Sequence, residues 1–376
     1  MCGVTRRELA GLVALFLLTL PAVTPRIYSS DEVQYYSYLR SLWFDGDVSF
    51  ENEYRYFYDR GVARTPGFEA TFLTLETAAG RRVNFGTLGC AVLWTPFYAA
   101  ADVWARVAGA LGTPVARDGF SRPYIAAVAY GSAVYGFLAI VIAIAVARAI
   151  AGHGVLAGLA VWLGTPLLFY MYAAPPYSHA CSAFAVALFV AVWLRVRRQW
   201  TPAGAAVLGA AAALMAMVRE QDAFIAVGAL ADFGAHVAGL KACATSDVRI
   251  GVAGLKACAT TDVRRASGTS DVRSAGLQAC RSARLQACRS AVAGIGAFVL
   301  CFTPQLLAYR AINGHFGPSR LVARKMTWSA PHAIEVLFSA QHGFFIWTPL
   351  ALLAVAGIAM LAWGVRPGSD AGRTPV

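Results

Sequence analysis

The sequence predicts an all-α polytopic membrane protein with about eight transmembrane helices and a large external loop after the first. Three observations predict it. The mean hydropathy is +0.56. Charged residues make up 14% of the chain, where soluble domains carry about 25%. Several apolar runs reach the roughly 20 residues that cross a bilayer as helix.

The first run, Leu9–Val23, follows Arg6-Arg7. A basic start and apolar middle also describe a secretory signal peptide, but no convincing small-residue cleavage site follows. We read it as a first span with a cytoplasmic N-terminus, because Lys and Arg flanks stay inside. Residues 25–87 then form an external loop. Within it, Val33–Trp43 repeats aromatic and apolar positions at helical spacing, which predicts a helix lying in the membrane interface. The same pattern also suits a simple aromatic anchor. Asp45-Gly46-Asp47 and Pro66-Gly67 read as turns. Further spans are expected at 88–110, 123–147, 155–174, 179–194, 204–231, 292–311 and 343–364. Counting from the inside, Arg117 and Arg122 should be cytoplasmic and the loop 313–342 external. Arg195, Arg197 and Arg198 then fall outside, against the positive-inside rule.

Three parts follow: a membrane module over 1–235, an insert over 236–291, and C-terminal membrane helices over 292–376. The insert is repetitive. VAGLKACATSDVRIG (237–251) is followed at once by VAGLKACATTDVRRA (252–266), with three differences, and by TSDVR, AGLQAC and ARLQAC fragments. The period is too short for a solenoid unit, and the apolar surface too small for a core. We expect a translated tandem repeat tolerated as a disordered cytoplasmic loop, against the alternative of a basic lipid-binding segment. From His236 to Ser290 there are nine Lys/Arg and three Asp, so +6 of the net +12 lies here. The basic balance is therefore no argument for nucleic acid. Of eight cysteines, four (Cys243, Cys258, Cys280, Cys288) belong to the repeats, and no C-x-x-C or paired-His spacing suggests a disulfide framework or zinc.

Asp31-Glu32 is the feature most in need of a functional explanation. The pair stands just beyond the first span, where two carboxylates beside hydrocarbon are costly. A positioned carboxylate can serve as general base toward an acceptor hydroxyl; a polar helix end explains it as well. Arg219-Glu220-Gln221-Asp222 interrupts an apolar stretch from Ala203 to Phe233. Arg219 either pairs internally with Glu220 or Asp222 at a helix break, or meets a phosphate, whose geometry guanidinium matches. Arg320, Arg324 and Lys325 in the loop 313–342 are further candidates for phosphate contact, in competition with plain solvation. His179, after Pro175-Pro176-Tyr177-Ser178, reads as a polar helix end. His315, His332 and His342 share one loop without ligand spacing.

Several segments resemble GT-C superfamily membrane glycosyltransferases, the group that includes protein O-mannosyltransferases and lipid A aminoarabinose transferases. Ser30-Asp31-Glu32-Val33-Gln34-Tyr35-Tyr36, with Gly46-Asp47 downstream, looks like their first external loop. Asn84-Phe85-Gly86 and Leu93-Trp94-Thr95-Pro96-Phe97-Tyr98 are similar to the second span of uncharacterised bacterial members. His342-Gly343-Phe344-Phe345-Ile346-Trp347-Thr348-Pro349 resembles the entry to a late span. The likeness covers most of 5–235 and 292–365; the insert is foreign to it. The resemblance implies a polyprenyl-phosphate-linked sugar donor, inversion at the sugar carbon, and an acidic first-loop residue as base or acceptor-binding group. That role maps to Asp31, with Glu32 beside it and Arg219, Arg324 and Lys325 toward the donor phosphate. It also implies a bacterial inner membrane location with an active site on the external face. The expected partners are the lipid-linked donor, membrane lipids and an acceptor that the sequence does not identify. No cofactor motif is present, and a divalent cation is left open. The rival readings are a transporter or flippase-like protein, in which intramembrane charges line a path, and a non-catalytic assembly protein.

Overall fold

A computed structural model describes residues 4–62, 64, 67–113, 115–245, 269–321, 330–341 and 343–363. Among these, all regular structure is helical apart from one isolated bridge between Glu76 and Arg82. Four helices are long and apolar enough to cross a membrane: Arg122–Ala151, His179–Val196, Glu220–Gly239 and Ser282–Asn313. Val155–Gly164, Pro202–Val218 and Leu350–Met360 are shorter apolar helices. The difference from the expected spans has local causes. α1 (Arg6–Thr19) has 14 residues before a 3-10 turn that contains Pro21. The run 155–174 divides at Thr165-Pro166 into α6 (Val155–Gly164) and α7 (Leu167–Tyr172). The run 204–231 divides at Arg219.

Two cores build the bundle. One joins α1, α5 (Arg122–Ala151), α6 and α7 through Phe16, Phe137, Trp162 and Met171. The other joins α2 (Ser30–Arg40), α3 (Glu51–Asp59), α4 (Gly89–Ala110), α8 (His179–Val196) and α9 (Pro202–Val218). α2 does not lie in an interface as expected. Val33, Tyr36, Tyr38 and Leu39 are buried, at roughly 1.5–3 kcal/mol for each large apolar side chain. That gain draws the segment into the core. A π-helical turn, Ser41–Asp45, then ends at Gly46 with φ +71°, a left-handed conformation natural to glycine.

The segment 111–121 packs against this first loop. Arg40 donates through Nε to the Asp118 carbonyl at 3.2 Å, Tyr36 hydrogen-bonds to the Gly119 carbonyl, and Tyr56 stacks on Phe120 at 3.8 Å. Segments in contact cannot lie on opposite faces of roughly 30 Å of hydrocarbon. This corrects the expectation that Arg117 and Arg122 sit across the membrane from residues 25–87. At the other end of α5, Arg148 pairs with Glu8 of α1 at 2.5 Å. Arg117 and Arg106 both pair with buried Asp102, and Arg197 pairs with Asp232 at 2.9 Å, so two aspartates offset part of the charge of these three arginines.

The expected disordered insert is helical at both ends. α10 (Ala226–Thr245) runs into the first repeat and α11 (Thr269–Asn313) begins in the later fragments; residues 246–268 lie outside the described residues. Gln286 and Ser290 both donate to the Trp200 carbonyl at 3.1 Å, and Ala287 and Ser290 are buried. The last repeat fragment is therefore part of the packed bundle. α9 and α11 lie so close that a Cβ on Gly209 would stand 2.0 Å from the Gly294 carbonyl oxygen.

Candidate functional site

The candidate site forms where four helix ends meet. The sequence Ser29-Ser30-Asp31-Glu32 starts α2 with a reciprocal cap: Glu32 N–H donates to the Ser29 hydroxyl at 3.3 Å, and Ser29 N–H donates to Glu32 Oε2 at 2.9 Å. Tyr28 N–H adds a third bond to Glu32 Oε2 at 2.6 Å. Glu32 is fully buried, its Oε1 has no partner among the described residues, and burial pushes its carboxyl up to about 7. The geometry assigns Glu32 to holding the helix start, where the sequence suggested a share in the chemistry.

Asp31 differs from its neighbour. Its side chain is open to the outside and accepts no hydrogen bond from the described residues. The protein around it is dense enough that desolvation raises its carboxyl above the ordinary range, while the Arg219 charge pulls it down. Asp31, Tyr35 and Tyr38 fall at helical spacing on one face of α2, and that face lies within electrostatic reach of the break after α9. Arg219 acts electrostatically on Asp31 and Tyr35. Glu220 acts on Tyr38. Tyr38 Oη and Gln305 Nε2 are both buried and make no bond of ordinary geometry.

The break itself is well built. α9 ends at Val218, Arg219 is extended (φ −150°, ψ 122°), and a 3-10 turn covers Glu220–Ile225. Neither of the expected internal pairs forms. Arg219 Nη1 instead meets His179 Nδ1 at 3.1 Å, and Asp222 accepts from the Ser182 hydroxyl at 2.6 Å. His179 stacks on Tyr170 with ring centres 3.8 Å apart. The Asn84-Phe85-Gly86-Thr87-Leu88 strap closes the site from below. Gln34 Oε1 accepts from Phe85 N–H at 2.8 Å, Asn84 donates to the Gln34 carbonyl at 3.1 Å, and Leu88 N–H donates to Gln305 at 2.7 Å.

Of the residues singled out from sequence, Asp31, Glu32 and Arg219 come together; Arg324, Lys325 and His342 lie outside the described residues. Arg320 is exposed. His179 is a helix end, as its sequence context suggested, being the first residue of α8; its contact with Arg219 was not foreseen. The signal was its place after Pro175-Pro176-Tyr177-Ser178, a run too rich in rings and hydroxyls for a plain helix start. Among the described residues no group of three His, Cys, Asp or Glu could hold a metal ion. Compared with protein-family models, curated proteins and solved structures, the chain finds no match.

Proposed function

We propose that the protein is a GT-C-like membrane glycosyltransferase that moves a sugar from a polyprenyl-phosphate donor to an extracytoplasmic acceptor. The observation that carries this reading is an exposed carboxylate, Asp31, that accepts no hydrogen bond from the described residues and lies within electrostatic reach of the Arg219 guanidinium. Asp31 takes the proton of the acceptor hydroxyl. The hydroxyl oxygen then bonds to the anomeric carbon, and the carbon–oxygen bond to phosphate breaks with inversion. The leaving polyprenyl phosphate keeps the electron pair, and Arg219 balances its charge. A carboxyl raised by desolvation is the stronger base once ionised. Arg324 and Lys325 supplement Arg219 at the phosphate. The bundle passes the membrane about eight times, with the shorter apolar helices included, in a bacterial inner membrane with the site on the external face.

The test is transfer from a radiolabelled polyprenyl-phosphate sugar in membranes, alongside bound donor. Asp31→Asn should lower the rate by about 10²–10⁴ with donor binding kept; Arg219→Ala should weaken donor binding. Transfer by Asp31→Asn at the wild-type rate removes the reading. One observation favours a transporter instead: helices broken at charged residues form substrate sites in that class. Substrate movement across vesicles without sugar transfer would select it.

A further inference from the structure

We propose that His179 is a positioning residue, held neutral, that aims Arg219 at the lipid phosphate; the proposal rests on the reading of Arg219 above. Guanidinium has only donors and stays protonated in proteins. At 3.1 Å from Arg219 Nη1, His179 Nδ1 must therefore accept, which puts the ring proton on Nε2. An imidazolium has no acceptor and could not make this contact. Two further features favour the neutral ring. His179 is the first residue of α8, and a helix N-terminus disfavours positive charge. The groups facing the ring are Arg219 from the end of α9, Tyr170 from α7 at 3.8 Å and Tyr177 from the preceding turn at 5.9 Å; none offers it a carboxylate.

The contact is half of a two-point clamp. His179 and Ser182 stand three residues apart on α8, one turn of the same face. Arg219 and Asp222 stand three apart in the break. The contacts run in register, His179 to Arg219 and Ser182 to Asp222 at 2.6 Å. The first turn of α8 thus holds the Arg219 guanidinium through His179 and, through Ser182, the side chain of Asp222, a residue whose own N–H donates to the Arg219 carbonyl at 3.0 Å. An arginine on a long flexible stem loses much entropy when it engages a ligand; one already held by an acceptor has less to lose. With one donor spent on His179, the remaining N–H groups serve the phosphate.

The experiment uses the full chain in detergent with farnesyl phosphate as probe. His179→Phe keeps the stacked ring and removes the acceptor; His179→Asn keeps an acceptor near the Nδ1 position. His179→Phe should weaken farnesyl phosphate binding about tenfold, and Asn should restore it to within about threefold. In transfer assays the Phe variant should raise KM with kcat within about twofold. In an Arg219→Ala background, His179→Phe should have no further effect on binding. Nitrogen-15 spectra of histidine-labelled wild type should show a neutral ring protonated at Nε2 with Nδ1 shifted by the hydrogen bond it accepts, and Arg219→Ala should remove that Nδ1 shift while the Nε2–H tautomer persists; this holds even if the Phe variant does not fold. Unchanged affinity in His179→Phe, failure of Asn to rescue, an equal loss in the Arg219→Ala background, or no binding by wild type would each overturn the proposal. Coupled binding without sugar transfer would keep the clamp and remove the glycosyltransferase reading.

Discussion

The Thr87 hydroxyl donates to the Val218 carbonyl at 2.9 Å, one residue before Arg219. The start of α4 thereby satisfies a carbonyl that the end of α9 leaves without a helical partner. Two residues on, Gly89 lies against the same turn, where a Cβ would stand 2.4 Å from Met217 C and Val218 N. The strap before α4 and the break after α9 are one joint.

That joint makes Gly89→Ala informative. The added methyl meets backbone, which cannot swing aside as a side chain can, so α4 and α9 must separate. We expect a loss of about 1–3 kcal/mol, the usual cost of overpacking, and weaker donor binding as Arg219 moves. Thr87→Val, which keeps volume and removes the donor, should cost less. Thermal unfolding with parallel donor binding measures both; a Gly89→Ala protein with wild-type values would show that the close approach is not maintained.

Glu32 predicts a stability that falls with pH. Its folded carboxyl sits near 7, pushed up mainly by burial and opposed by the Tyr28 and Ser29 N–H groups. An acid raised in this way binds its proton more tightly folded than unfolded. Its contribution is therefore complete below the ordinary value near 4.5 and is lost as pH rises through 7. The shift corresponds to roughly 3 kcal/mol as an order of magnitude. Glu53 is also raised to about 7 by burial, against the pull of Arg40 at 3.0 Å. Glu32→Gln should remove about half of the decline in apparent Tm between about pH 5 and 8, and the double variant with Glu53→Gln most of it. An unchanged slope in the double variant would place the titration elsewhere.

The repeats give a sharper deletion experiment than their sequence suggested. Deleting 246–268 and bridging Thr245 to Thr269 with a Gly/Ser linker of equal length should leave expression and Tm unchanged within error, because a flexible chain of that length closes at little cost. Removing 237–290 should lower Tm strongly, because it takes away Gln286 and Ser290, which hold the Trp200 carbonyl, along with buried Ala287. Equal behaviour of the two deletions would contradict the packing of the final repeat on the α8–α9 corner.

What could be read from the chain was its hydrophobic patterning. The helical class, the Asp45-Gly46-Asp47 turn and the interruption at Arg219 followed from apolar runs and their breakers. The partners of Arg219 did not, since His179 lies 40 residues away and only the folding of α8 onto α9 brings them together. Glu32 shows a different failure. The Ser-x-x-Glu spacing was present as a capping signature, but the neighbouring membrane invited a functional reading first. Sidedness failed for a third reason. It was counted from the spans with 88–110 taken as a crossing, whereas the contacts of Asp118, Gly119 and Phe120 with the first loop put both ends of α4 on one face.

Sidedness can be measured directly. Arg122 and Arg148 are separated by most of a 30-residue helix, close to 40 Å at about 1.5 Å per residue. Glu8 is tied to Arg148 at one end; the segment 111–121 leads into Arg122 at the other. If α5 crosses the bilayer, the N-terminus and this segment are on opposite faces, and the first loop shares the face of 111–121 through Arg40, Tyr36 and Tyr56. Single cysteines at exposed Ala116, Ala70 and Arg7, in a background with all eight native cysteines replaced, test this with an impermeant maleimide on intact cells. Ala116→Cys and Ala70→Cys should both label from outside, and Arg7→Cys only after permeabilisation. Labelling of Ala116→Cys together with Arg7→Cys would separate the two loops by the membrane. That outcome would break the contacts that hold α2, and with it Asp31, against the bundle.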